Sequence, residues 1–252
     1  MELLMNRFKI STFILLLCCP AFSALAADAD CAANGDTQFI CGPVSPEDLI
    51  EIPGTPWIIV SSMEEPGYLS VANSQDHATA TVFPAASASI ALDSASYPDC
   101  PSPPSAQFQP HGVSLRSNPD GSFSLFVVAH GDRESVEAFT VKNTDSVPTL
   151  TWVGCAIAPA GIGLNSVAAL AEGGFVATNF NIAAGSLLEW QSDSGWTEVP
   201  GSQMPGPNGL VVSEDNRWFY IGGWAEKSVV RLSRGQTPVV KESVPLGFHV
   251  DN

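Results

Sequence analysis

The residue types best suited to chemistry recur at one position of a repeated pattern. In four repeats a polar residue opens a short apolar segment, which is followed by a turn and a second apolar segment. The recurring residues, with a fifth at the same spacing, are Glu47, His111, Asn165, Asn208 and Asp251. Carboxylate and amide oxygens gathered at one point suit a hard cation, and calcium takes about 6–8 oxygen ligands. The pattern therefore predicts a calcium site.

The predicted calcium ligands are the oxygen-bearing members of this set and the amide that follows Asp251. They are Glu47, Asn165, Asn208, Asp251 and Asn252. Magnesium ranks second because it requires stricter geometry, and zinc is disfavoured because it prefers His and Cys ligands. Taken singly, each residue also has a structural interpretation: Asn208-Gly209, for example, is a common turn dipeptide. The shared position in the repeat favours a common ligand role.

Two histidines of the second repeat are candidates for proton transfer. His111 occupies the recurring position, and His130 ends the second apolar segment of the same repeat. A histidine, with an ordinary pKa of about 6.5, can take a proton from water near neutral pH. We therefore predict His111 as the catalytic base and His130 as its orienting partner. The alternative for His130 is an ordinary histidine at a strand end.

The spacing of the recurring residues predicts the architecture. Successive positions are 64, 54, 43 and 43 residues apart, and roughly 40–50 residues form one four-stranded propeller blade. The inner strand of each blade lies along the central channel, so equivalent positions form a ring. The sequence predicts an all-β, six-bladed β-propeller, of which four blades and the start of a fifth are present. The longer early spacings predict insertions at 75–84 and 98–107; a β-sandwich with coincidental hairpins is the alternative.

Composition and the amino terminus restrict the class of protein. The 252 residues are 45% hydrophobic and 14% charged, with a net charge of −16, which excludes a disordered chain and disfavours binding to nucleic acid or anionic membranes. Arg7, Lys9, the apolar run 10–17 and Ala24-Leu25-Ala26 predict a signal peptide over residues 1–26, with an uncleaved anchor as the alternative. Residues 27–252 are then a partial propeller domain, exported to the periplasm or the extracellular space, without membrane association beyond export.

Four cysteines follow the predicted signal peptide. Cys31, Cys41, Cys100 and Cys155 form no C-x-x-C pair, which argues against a zinc ribbon or a thioredoxin-type site. An even number in an exported protein predicts disulfides, and three connectivities are open. Of these we favour Cys31 with Cys41 and Cys100 with Cys155.

Five short motifs in order resemble the serum paraoxonase/arylesterase family and, more widely, the senescence-marker/gluconolactonase propellers. They are Pro110-His111-Gly112-Val113, Ala129-His130-Gly131-Asp132, Leu164-Asn165-Ser166-Val167, Pro207-Asn208-Gly209 and Val250-Asp251-Asn252. The resemblance covers roughly Cys41 to the end. It implies a six-bladed propeller that hydrolyses lactones and aryl esters with a calcium ion in the channel.

The resemblance also assigns residues. It matches the five predicted ligands to the family's catalytic calcium site, and His111 and His130 to its histidine pair. For a second, structural calcium it matches Asp48 and the backbone carbonyl of Val113, but Ser166 stands where the family has an aspartate, which puts that ion in doubt. It further pairs Cys41 with a cysteine that would lie beyond Asn252, which competes with a Cys31–Cys41 disulfide.

No rival catalytic motif is present in the sequence. It contains no G-x-S-x-G, no H-E-x-x-H and no phosphate-binding glycine loop. The competing hypotheses are a non-catalytic calcium-bound propeller that serves as a binding module, and a strictosidine-synthase-like propeller that needs no metal. We expect residues 27–252 alone to be a fragment of low stability and little activity.

Overall fold

The computed structural model describes residues 31–142 and 146–252. The predicted signal peptide lies outside the described residues. The chain divides into two compact units, residues 1–38 and 39–252. The described part of the first unit, residues 31–38, contains an isolated antiparallel bridge between Asn34 and Thr37.

The second unit consists of four sheets, each built on four consecutive antiparallel strands, and the second sheet carries a fifth short strand that pairs in parallel with its outer strand. The first sheet contains β1 (Pro46–Glu51), β2 (Trp57–Ser62), β3 (Tyr68–Asn73) and β4 (Thr79–Phe83). The second contains β6 (Gln109–Ser117), β7 (Phe123–His130), β8 (Ser135–Lys142) and β9 (Thr149–Ile157), and the short β5 (Ser89–Ile90) joins it. The third contains β10 (Leu164–Ala169), β11 (Phe175–Asn179), β12 (Ser186–Gln191) and β13 (Gly195–Glu198), and the fourth contains β14 (Pro207–Val212), β15 (Trp218–Gly223), β16 (Ser228–Ser233) and β17 (Lys241–Pro245). The described residues contain no α-helix. The predicted all-β fold with four propeller blades is confirmed.

The packing of the sheets explains why their strands are apolar on both faces. In β7, Leu125 and Val127 belong to a core shared with the first blade, whereas Phe126 and Val128 belong to a core shared with the third blade. A strand buried on both faces reads as a continuous apolar run rather than as an alternation. A third core lies between the third and fourth blades. Since the second and third sheets each pack between two neighbouring sheets, and four sheets succeed one another in chain order, the β-sandwich alternative is wrong.

The structure corrects one predicted insertion and confirms the other. Residues 75–84 contain the β3–β4 turn and β4, the outer strand of the first blade, so the prediction of an insertion there is wrong. Its short Thr-Ala-Thr-Val run pairs with β3 and therefore belongs to the blade. Residues 91–108 form the actual long loop, and this loop is joined to β9 by the predicted Cys100–Cys155 disulfide.

Cys31 and Cys41 are both disulfide-bonded. Within the described ranges, no helix has the length and apolar character needed to cross a membrane.

Candidate functional site

The predicted site residues occupy equivalent places on the first strand of each blade. Glu47 is the second residue of β1, Asn165 of β10 and Asn208 of β14, and His111 is the third residue of β6. In every case the pairing with the next strand shifts register at that residue. A β-bulge re-aims a side chain and is often found beside a functional site. The four blades therefore share a β-bulge at the same place, and this bulge turns the recurring residue out of the regular pleat.

Glycines next to the recurring residues let neighbouring blades approach closely. A Cβ atom on Gly112, which follows His111, would lie 2.6 Å from the carbonyl oxygen of Asn165. A Cβ atom on Gly209, which follows Asn208, would lie 2.3 Å from the carbonyl oxygen of Asp251. The second recurring position thus lies directly against the third, and the fourth against the fifth, as neighbouring positions of a ring would.

Replacing Gly209 by alanine is expected to destabilise this junction. The new methyl group would overlap the backbone at Asp251, and such overpacking costs about 1–3 kcal/mol. Gly163→Ala is the matched control, because its Cβ would meet only the Phe180 carbonyl oxygen at 3.7 Å. Thermal denaturation of both variants measures the effect. Equal unfolding midpoints for the two variants would contradict the close approach.

Three predicted calcium ligands carry buried oxygens that lack a hydrogen-bond donor in the described part of the chain. These atoms are Glu47 Oε2, Asn165 Oδ1 and Asn208 Oδ1. Leaving a buried acceptor unsatisfied costs about 1–3 kcal/mol, and each such group in a native structure requires an explanation. A hard cation among them would satisfy all three at once, so these residues fit calcium.

The last two predicted ligands lie beside the same ring. Asn252 is placed with its amide nitrogen 3.5 Å from Glu47 Oε1, and Asp251 lies against Gly209. Both residues are exposed. No group of three or more His, Cys, Asp or Glu residues suited to a metal occurs among the described residues. The set brought together here has a different composition, since amides supply three of its five side chains.

The two histidines are in contact with each other and with two carboxylates. His111 Nδ1 lies 2.8 Å from His130 Nε2, and His111 Nε2 lies 2.7 Å from Glu47 Oε1. At the other end, His130 Nδ1 lies 2.9 Å from Glu134 Oε2. The four side chains form one continuous chain, Glu47–His111–His130–Glu134. It leads from the ring of predicted ligands to the loop between β7 and β8.

Glu134 is the site residue that sequence reasoning missed. It lies four residues after His130, across the Gly131-containing turn of a hairpin, so its carboxylate can return to the ring of His130. An acidic residue placed just across a tight turn from a candidate catalytic histidine is the signal that could have identified it. Nothing in the repeat pattern indicates it, because the other blades have no histidine at the end of their second strand.

The residues predicted for a second ion lie around one cavity of about 320 Å³. Its lining includes Asp48, Val113 and Ser166. Asp48 is already satisfied, because it accepts the backbone N–H groups of Val113 at 2.7 Å and of Leu49 at 2.8 Å. Burial raises the pKa of Asp48, and the two backbone N–H groups partly oppose this. Asp48 thus lacks the unpaired oxygen found at Glu47, and the second ion stays a prediction.

Comparison with known proteins shows similarity in fold but not in sequence. No family model matches the chain, and no curated protein sequence matches it. Solved structures that resemble it include a streptogramin B lyase (12% identity, TM-score 0.49, covering 82% of this chain and 56% of that one) and a luciferin-regenerating enzyme (13%, 0.49, 82% and 62%). An aldose sugar dehydrogenase from Streptomyces coelicolor is a third (10%, 0.44, 83% and 84%).

These similarities carry no argument about activity at such identities and TM-scores. The chain spans less than two thirds of the length of the first two structures. The resemblance to the paraoxonase/arylesterase family therefore stays a prediction.

Proposed function

We propose that this chain forms the inner ring of a calcium-dependent hydrolase that acts on lactones and aryl esters. One observation carries the proposal: three buried oxygens that have no donor among the described residues occupy equivalent bulged positions beside a contacting histidine pair. The motif resemblance to the paraoxonase/arylesterase family supports the substrate class. The predicted signal peptide and the disulfides support export. The partner is thus a small ester or lactone rather than nucleic acid or a membrane.

The ion would be held by the ring residues Glu47, Asn165, Asn208, Asp251 and Asn252. When bound there, calcium supplies Lewis-acid polarisation of the substrate carbonyl. Glu47 can bind the ion and contact His111 at the same time, because its Oε1 contacts His111 while its Oε2 has no partner among the described residues. This places the histidine beside the ring of ligands, where a water molecule attacking a bound carbonyl would have to lie.

The histidine pair would move the proton. Once His111 Nε2 has given up its 2.7 Å contact with Glu47 Oε1, it would take a proton from the attacking water as the water oxygen bonds to the carbonyl carbon. The carbon–oxygen bond to the leaving group then breaks, and the proton returns to the leaving alkoxide or phenoxide. His130 holds the other nitrogen of His111 throughout, at 2.8 Å.

The test is hydrolysis of phenyl acetate and of a γ-lactone, each in calcium and in excess chelator. We expect turnover only with calcium, and we expect His111→Gln to lower kcat by about 100-fold or more. His77→Gln is the matched control, since His77 lies on the β3–β4 turn. Turnover that persists in chelator, or an unchanged kcat in His111→Gln, would overturn the proposal.

A non-catalytic calcium-bound propeller is the second candidate. One observation favours it: both ring nitrogens of His111 are engaged, Nε2 by Glu47 and Nδ1 by His130. Calorimetric calcium binding without any hydrolysis would support this candidate. The absence of calcium binding would exclude it together with the hydrolase.

A further inference from the structure

We infer that Phe180, Trp224 and His249 form an aromatic wall that binds the flat ring of an aryl ester, so that aryl esters rather than aliphatic lactones are the preferred substrates. The substrate preference rests on the proposed function, whereas the binding of an aromatic ring can be measured without any hydrolysis.

The three aromatic residues lie at the end of the blades that carries the ring of predicted ligands. Phe180 follows the last residue of β11, and Trp224 follows the last residue of β15. The last residues of these two strands pair with the first residues of β10 and β14, which directly precede the predicted ligands of those blades. His249 lies two residues before Asp251. Each aromatic side chain is therefore attached close to one predicted ligand.

The three aromatic rings form one row. The ring of Trp224 stacks on the ring of His249, with centroids 4.1 Å apart and planes inclined by 27°. The ring of Phe180 meets that of Trp224 edge to face, with centroids 6.3 Å apart. Stacked and edge-to-face arrangements are the ones that aromatic pairs prefer. The row runs from the third blade across the fourth blade to the start of the next repeat.

Hydrogen bonds hold this row in place before any ligand binds. The carbonyl oxygen of Asn181 accepts the N–H of Gly206 at 2.8 Å, and the carbonyl oxygen of Gly206 accepts the N–H of Trp224 at 2.9 Å. The carbonyl oxygen of Trp224 accepts from His249 Nδ1 at 2.7 Å. A surface that is fixed in advance loses less conformational entropy when its ligand binds.

His249 is the accessible end of the row. It is exposed, whereas Phe180 and Trp224 are each only partly exposed. Because Trp224 covers one face of the imidazole ring, the face available to a ligand is the opposite one. A planar aromatic group can stack there and extend the row by one ring, whereas a puckered aliphatic ring gains no such stacking.

The wall and the histidine pair belong to different sides of the ring of predicted ligands. In the first two blades the residues that follow the second strand are Met63 and Gly131, and neither is aromatic. A Cβ on Gly131 would lie 1.9 Å from the carbonyl oxygen of Gln107, so the long loop 91–108 fills this place in the second blade. An ester whose carbonyl carbon lies beside His111 can therefore extend its aryl group over the wall on the third and fourth blades.

The first test measures binding without hydrolysis. Acetanilide is the amide counterpart of phenyl acetate, and N-cyclohexylacetamide has the same skeleton with a saturated ring. Ligand-observed NMR titration of the full chain in calcium should give a dissociation constant for acetanilide about 3–10-fold lower than that for N-cyclohexylacetamide. Equal dissociation constants, or no binding of acetanilide, would overturn the inference.

Variants show whether this binding occurs at the wall. His249→Leu and Trp224→Leu should each raise the dissociation constant of acetanilide about 3–10-fold. His249→Phe keeps an aromatic ring and should retain the wild-type affinity, which separates the loss of a ring from the loss of the fold. Trp218→Leu is the matched control, because Trp218 is the first residue of β15, at the opposite end of that strand from Trp224. An affinity unchanged in either wall variant, or lowered equally by Trp218→Leu, would contradict the assignment.

The second test measures the choice of substrate. In His249→Leu, KM for phenyl acetate should rise about 3–10-fold, whereas KM for γ-butyrolactone should not change. An equal rise in KM for both substrates would overturn the preference for aryl esters. If the wild type hydrolyses neither substrate, the hydrolase proposal fails, and the NMR titrations alone decide whether the wall binds an aryl group.

Discussion

Replacing Arg133 by methionine is expected to lower the free energy of unfolding by about 3–5 kcal/mol, because it leaves a buried carboxylate unpaired. The Glu137 side chain is 0% exposed, and its Oε1 accepts from Arg133 Nη2 at 2.6 Å. Trp152 Nε1 donates to Oε2 at 2.8 Å, and the Ser135 hydroxyl donates to Oε1 at 2.7 Å. These two neutral donors remain in the variant, but no positive charge replaces Arg133. Denaturant unfolding measures the loss.

The double variant Arg133→Met/Glu137→Gln provides the internal control. Removing both charges eliminates the unpaired carboxylate, so stability should recover most of the loss. Arg217→Met is the matched surface control, because Arg217 is 70% exposed in its pair with Asp215, and we expect no measurable effect. A loss in Arg217→Met as large as that in Arg133→Met would contradict the argument from burial.

The deficit of Arg133→Met should also depend on pH. Burial raises the pKa of Glu137 above its ordinary value, and Arg133 opposes this shift, so its removal raises the pKa further. A carboxyl whose pKa is higher in the folded state binds more protons there, so stability falls as pH rises from 4.5 through the folded pKa. The deficit should therefore be smaller at pH ~5 than at pH ~8.

Sequence reasoning succeeded where one physical requirement repeats in every blade. The first strands of three blades begin one residue before the predicted positions Glu47, Asn165 and Asn208. The prediction is this close because an apolar run bounded by turns recurs at the spacing of the blades. The recurring polar residue was visible for the same reason. The β-bulges that re-aim it were not, since a register shift depends on the partner strand rather than on the residue types of one segment.

Sequence reasoning failed where a residue's role depends only on its contacts with distant parts of the chain. The sequence predicts an insertion where the outer strand β4 lies, because β4 is short, is only partly buried and pairs with one neighbour. Glu134 has no counterpart in the repeat, and its place beside His130 depends on a contact with the backbone N–H of Leu164, thirty residues away. Glu137 resembles an ordinary surface acid in sequence, yet the second blade encloses it completely.

Replacing Asn208 by leucine is expected to stabilise the calcium-free chain and to abolish its response to calcium. Asn208 is 6% exposed, and its Oδ1 has no donor among the described residues. Removing an unsatisfied buried acceptor should recover about 1–3 kcal/mol, since leucine has the same number of side-chain heavy atoms, the same branching and no polar atom. The same change removes one of the five predicted ligands. The readout is the thermal midpoint with and without calcium.

Ser70→Ala is the matched control for this trade of function against stability. Ser70 is also buried, with an oxygen that has no partner in the described part of the chain, but it lies on β3, away from the inner strands. It should gain stability in the same way and keep the full calcium response. If Asn208→Leu destabilises the calcium-free chain, or keeps a calcium-dependent rise in midpoint equal to that of Ser70→Ala, the oxygen at position 208 is not held unpaired for a cation. If Asn208→Leu instead raises the midpoint of the calcium-free chain and removes its calcium response, then Asn208 lowers the stability of the calcium-free fold and contributes to binding the ion.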